Sequence, residues 1–201
     1  MSFIIGLLIS FFSSFNPGIL SLTTLKIGIL KGKTSGYLFS IGVSLVIAFQ
    51  AYISLEFASF INENPFIERN IQIIGGVIFF ILSIYFFSLG KGKKEEQSTS
   101  ETDNKNPFWQ GVTIALLNVF SIAFYAGTGL GLNYGGWLEF NTFDMISFSI
   151  GSALGSLAFL MLIVLAAKTI DAKVALISNN INYILGVVTG FVAIFTLYNI
   201  Y

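Results

Sequence analysis

The chain has 201 residues, 55% of them apolar and only 10% charged, with a mean hydropathy of +0.83. Soluble domains carry about 25% charged residues, so a soluble enzyme, a nucleic-acid binder and a disordered tail are excluded, and the chain reads as an all-α integral membrane protein. Its net charge is zero and it contains neither Cys nor His, which removes disulfides, thiol redox relays, thiolate or imidazole metal sites and every Ser–His or Cys–His nucleophile. No metal, cofactor or enzymatic activity is expected; the remaining chemistry lies with amides, hydroxyls, backbone dipoles and a few carboxylates.

A membrane helix needs about 20 mostly apolar residues. The first such run covers residues 3–25. It lacks a basic leader and a clean small-x-small cleavage site, so it reads as a retained helix rather than a signal peptide. Its middle carries Ser13-Ser14-Phe15-Asn16-Pro17-Gly18. Pro17 cannot donate a backbone hydrogen bond, which predicts a break that frees the carbonyl of Ser13. Unpaired carbonyls are costly in hydrocarbon. Ser13, Ser14 and Asn16 can supply donors, and Gly18 lets the backbone open further. An ordinary proline kink is the alternative.

A basic loop, 26–36, leads to the second span, 37–57. Gln50 within it reads as interhelical glue, with cavity lining the minority reading. Glu56 near its outer end reads as interfacial; turned inward, it would be the candidate proton carrier. The third span is 71–89, with Gln72 near its start. Residues 90–107 contain the polar linker 91–106, with four basic and four acidic residues.

The fourth span, 108–132, opens Phe108-Trp-Gln-Gly111, as the first opens Phe3-Ile-Ile-Gly6. It carries its own polar break, Asn118-Val119-Phe120-Ser121, and ends in Gly127-Thr-Gly-Leu-Gly131 and Gly135-Gly136. That glycine-rich end reads as a flexible helix terminus or an unwound outer gate. The fifth span, 145–167, and the sixth, 181–201, hold Gly151-Ser-Ala-Leu-Gly155 and Gly186-Val-Val-Thr-Gly190, packing motifs expected to face each other. Between them 168–180 reads as an interfacial amphipathic segment. Tyr134, Trp137, Tyr183, Tyr198 and Tyr201 sit near span ends, as interface belts do.

Nine of the ten basic residues fall in the first, third and fifth loops. The positive-inside rule makes 26–36, 90–107 and 168–180 cytoplasmic in a cell membrane, with both termini outside. The layout is three plus three: a first repeat in 1–90, the linker 91–106 and a second repeat in 107–201. Spans one and four then run in opposite directions, the inverted-repeat plan of many secondary transporters. When Gly6 is registered on Gly111, Asn16 and Asn118 lie three positions apart, nearly one helical turn. The expected solute site comprises Asn16, Pro17, Gly18 and Asn118, with hydroxyls from Ser13, Ser14 and Ser121.

The Asn16-Pro17-Gly18 break, followed by Lys31-Gly32-Lys33-x-x-Gly36-x5-Gly42, resembles the LysE/RhtB-type amino-acid exporters, as does Phe108-x-x-Gly111-x6-Asn118. The resemblance covers nearly the whole chain. It implies a six-span translocator exporting amino acids or related small polar metabolites, and it allows a homodimer. Two positions depart from the family pattern. Ile19 stands where a second proline is frequent, and Val119 replaces the proline after Asn118, so the fourth helix is free to continue unbroken. Other readings differ in what they require. A water or glycerol channel would have two Asn-Pro motifs. A metal-ion transporter would have soft ligands or paired acids within its spans. A non-transporting membrane protein would have two asparagines that are merely packed.

Overall fold

A computed structural model describes residues 1–15, 18–64, 84, 106–118 and 120–170. The chain divides into two compact units, Met1–Phe60 with Asn104–Ala172, and Ile61–Asp103 with Lys173–Tyr201. The described elements, nearly all in the first unit, are helices: α1 (Ser2–Ser13), α2 (Ile19–Leu30), α3 (Lys33–Asn62), α4 (Pro107–Leu117), α5 (Phe120–Tyr134) and α6 (Thr142–Ile170). The expected third and sixth spans, Gln72, the polar linker, Gly186 and Gly190 lie outside the described residues.

Among the described residues, two helices are long and apolar enough to cross a bilayer alone, Lys33–Asn62 and Thr142–Ala167, while α4 and α5 form one apolar run bent by 62°. Their faces explain the composition. On α3 a buried stripe contains Phe39, Val43, Val46, Ala51 and Leu55, and an exposed stripe contains Leu38, Ile41, Leu45, Phe49 and Ile53. Both follow the 3.6-residue period, and both are apolar. A soluble helix would carry a polar outer face. α6 repeats the pattern, burying Phe148, Leu160 and Val164 while exposing Ile146, Ile150 and Leu154. Buried serines are satisfied within their own helices: Ser40, Ser44 and Ser149 donate to the carbonyls of Gly36, Ser40 and Met145, four residues back.

Glycine sets the closest packing. A Cβ at Gly6 would fall 2.2 Å from the Phe148 carbonyl oxygen, one at Gly151 2.1 Å from that of Phe3, and one at Gly155 2.1 Å from that of Leu7. α1 therefore lies backbone to backbone on α6. The Gly151–Gly155 motif, expected to face the sixth span, faces α1 instead. The same contact recurs on α3: a Cβ at Gly111 would fall 2.3 Å from the Phe39 carbonyl oxygen, and one at Gly42 2.3 Å from that of Phe108. Gly6 thus stands to Phe148 as Gly111 stands to Phe39, and Gly151 to Phe3 as Gly42 to Phe108. The identical tetrapeptides Phe39-Ser-Ile-Gly42 and Phe148-Ser-Ile-Gly151 occupy these matching places.

The contacts also give direction. Ser2 bonds Asp144, Gly6 abuts Phe148, Phe11 meets Phe159 and Gly28 approaches Val164 and Ala167. α1 and then α2 run in succession along α6, parallel to it. Likewise Gly111 meets Phe39, Ala115 meets Gln50 and Gly129 meets Leu55, so α4 and then α5 run along α3.

Several boundaries differ from the sequence reading. The first span is two helices, and α2 passes Lys26 to reach Leu30. The expected loop 26–36 shrinks to Lys31 and Gly32, because Gly32 takes a φ of +84°, which ends α2 two residues before α3 begins. Gly127–Gly131 is regular helix inside α5 rather than an unwound gate. The stop comes at Gly136, with φ +71°, where Trp137 N–H donates to the Leu132 carbonyl and Gly136 N–H to that of Asn133. This Schellman arrangement fixes the helix end, leaving Tyr134 and Trp137 exposed beside it. α6 continues through Ile170, into the segment read as amphipathic; the rest of that segment lies outside the described residues.

Candidate functional site

Both polar breaks interrupt their helices. α1 stops at Ser13 and α2 begins after Gly18, whose φ of −84° and ψ of 176° are extended. The serines before the break turn back onto α1: the Ser14 N–H and both the Ser13 and Ser14 hydroxyls donate to the Ser10 carbonyl, the hydroxyls at 3.1 and 2.7 Å. Their donors therefore serve Ser10 and not the Ser13 carbonyl named from the sequence. From the far side, Ser21 donates to the Ser14 carbonyl at 3.2 Å. Asn16 and Pro17 lie outside the described residues. Phe11 and Phe15 pack on Phe159 of α6 at 5.7 and 4.7 Å between ring centres.

The fourth span breaks although it lacks the proline. Asn118 has a ψ of 73°, far from the helical value near −42°. Its N–H tightens onto the Ala115 carbonyl at 3.0 Å. Its side-chain Nδ2 donates to the Ser121 hydroxyl at 2.9 Å, and the Ser121 N–H returns to the Asn118 carbonyl at 3.2 Å. In an unbroken helix the Ala115 carbonyl would accept from residue 119. Here the Gln50 side chain takes that place, its Nε2 donating to Ala115 O at 3.0 Å. A neighbouring helix thus adds a second donor to the Ala115 carbonyl at the break, beside the Asn118 N–H.

Both breaks lie level with the middle of a continuous helix, since Phe159 is close to the midpoint of α6 and Gln50 to that of α3. Gln50 and Phe159 also occupy matching places by the Phe-Ser-Ile-Gly register. One break is therefore faced by an amide and the other by an aromatic ring.

A hydrogen bond joins the two broken spans. Ser10 and Tyr125 hydroxyls are 2.8 Å apart and both buried. Ser152 of α6 stands beside them, also bonded to Tyr125, with its hydroxyl 3.4 Å from the Gly6 carbonyl. α2 packs on both α4 and α6. Sequence reasoning missed Ser10, Tyr125 and Ser152. A tyrosine in mid-run, rather than at a span end, was the available signal. Glu56, the other named candidate, is on the exposed side of α3, hydrogen-bonded by Tyr52.

No curated protein and no solved structure matches the chain. A model of the LysE type translocator family, however, matches residues 11–200, nearly the whole length, including both breaks. The chain, with its apolar helices and two interrupted spans, belongs to the LysE type translocator family of membrane proteins.

Proposed function

We propose that this protein exports amino acids or related small polar metabolites from the cytoplasm by alternating access, driven by the proton gradient. The solute site lies between the two breaks, lined by Asn16, Pro17, Gly18 and Asn118, with hydroxyls from Ser13, Ser14 and Ser121. The observation that carries this reading is that two separate apolar runs break at mid-height, each beside a continuous helix, and each exposes helix ends there. Helix ends at that depth present fixed partial charges to a zwitterionic solute without an ionised side chain.

The six-span, three-plus-three inverted plan is supported by the matched contacts, Gly6 on Phe148 against Gly111 on Phe39. The division into compact units respects the same pairing. The first unit holds the expected spans one, two, four and five, and the residue ranges of the second hold three and six. Family membership supports outward transport, with the lysine-rich loops facing the cytoplasm. Glu56, the one carboxylate within α3, is the proposed proton carrier even though it lies on the exposed side of that helix rather than turned inward.

The test is counterflow of labelled amino acids in proteoliposomes, with wild type beside Asn16→Ala and Asn118→Ala. Saturable exchange, lost in both variants, is expected. Osmotic swelling without exchange would indicate a channel, and unchanged exchange in both variants would remove the proposed site.

A further inference from the structure

The second break holds an acceptor that its own hydrogen bonds leave over. Gln50 is 5% exposed. Its Nε2 donates to the Ala115 carbonyl at 3.0 Å, and this bond fixes which end of the amide is which. Its Oε1 is buried and has no hydrogen-bond partner among the described residues. A buried acceptor left unmatched is destabilising, and native proteins rarely keep one without a reason.

Its surroundings are of the same character. α4 ends here, and the last carbonyls of a helix are unpaired within it and carry its partial negative charge. Asn118 commits its Nδ2 to Ser121. The break therefore presents the Gln50 Oε1 and the last carbonyls of α4 as acceptors at mid-membrane depth, beside the first N–H groups of α5. Neither a Lys nor an Arg lies in the sequence from residue 106 to residue 134 to complement them. The group that fits is a small cation rich in N–H donors.

We infer that Gln50 is a solute-recognition residue, and that its Oε1, together with the carbonyl end of α4, receives an ammonium group. The inference rests on the reading of the breaks as the solute site and adds to it an orientation. The amino end of a solute lies at the second break, and its remainder points away from Gln50. Phe159, at the matching place on α6, offers no side-chain acceptor to the first break.

Binding is read first, without transport, from the melting temperature of the detergent-purified full chain titrated with propylammonium or with propionate. Wild type should be stabilised saturably by propylammonium and not by propionate. Gln50→Leu removes the acceptor and should weaken the propylammonium response about tenfold or more, the loss expected for one hydrogen bond to a charged group. Gln50→Glu keeps acceptor oxygens but cannot donate to Ala115 O while ionised. It should hold propylammonium at least as well as wild type. If Gln50→Leu does not fold, the glutamate variant still decides. Loss of the response in Gln50→Glu would make Gln50 a cap for Ala115 and nothing more, and equal responses of wild type to the two probes would overturn the inference outright. Counterflow separates the two proposals. Propylammonium binding without amino-acid exchange refutes the exporter reading alone. Exchange with an unaltered propylammonium response in Gln50→Leu refutes the role of Gln50 alone.

Discussion

Adding one methyl group at Gly6 tests both the packing and its repetition. In Gly6→Ala the new Cβ would fall 2.2 Å from the Phe148 carbonyl oxygen. Ordinary contact begins above 3 Å, and the neighbour met, Phe148, is helix backbone that cannot rotate away, so α1 must retreat from α6 by about 1 Å along its seam. Overpacking of this kind costs about 1–3 kcal/mol. For a chain of this size that corresponds to a fall of about 2–12 °C in melting temperature. Gly111→Ala meets the Phe39 carbonyl oxygen at 2.3 Å and should fall by the same amount. Gly127 and Gly131 provide the control, being helical with nothing within 4 Å of an added Cβ. Alanine there should raise stability by about 0.5–1 kcal/mol through reduced chain entropy. The assay is tryptophan-fluorescence melting in detergent, with gel filtration to verify the folded fraction. A neutral Gly6→Ala would refute the backbone seam. A large fall at Gly6 with none at Gly111 would refute the equivalence of the two crossings.

Gly32 has open space around it but a φ of +84°, so Gly32→Ala should cost about 1–2 kcal/mol from conformation alone, with Gly32→Asn milder, both read as shifts in melting temperature. Tyr125→Phe and Ser10→Ala should each cost about 0.5–1.5 kcal/mol. The double variant should fall short of their sum by a coupling of about 0.5 kcal/mol or more; simple additivity would mean the bond contributes nothing. Glu56→Gln should abolish uptake driven by a pH gradient in inverted vesicles while sparing counterflow at equal pH, and unchanged gradient-driven uptake would remove Glu56 from proton coupling.

The periodicity of large apolar residues made the long helices legible, because a membrane helix is apolar on every face whatever it packs against. Their ends were less so. Lys26 was read as the end of a span, yet an amphipathic lysine costs little near an interface, and α2 continues past it. The Phe3–Gly6 and Phe108–Gly111 openings share one spacing in the sequence, and Gly6 and Gly111 each meet a Phe carbonyl. Their partners, the identical Phe-Ser-Ile-Gly runs, were visible in the sequence too, but only contact gives them meaning. The polar run at Asn118 marks the place of the second break, but without a proline it does not show that the helix stops there. A proline carries its effect in its own ring, whereas Asn118 depends on Gln50, some seventy positions earlier in the chain. Interhelical glue was the default reading of Gln50, and its Nε2 acts so; the unmatched Oε1 appears only once its surroundings are known.

The serine hydroxyls that fold back onto their own helices have a mechanical consequence. Ser40, Ser44, Ser54 and Ser149 contribute no adhesion between helices, because each is already paired along its own axis. Among the described residues, polar links that cross from helix to helix inside the bundle include Ser10 to Tyr125, Tyr125 to Ser152, Gln50 to Ala115 and Ser152 to Gly6. Toward the start of α1 a further bond, Ser2 to Asp144, ties it to α6. On the proposal of alternating access, a tilt about the central level keeps the inner links and breaks this outer one.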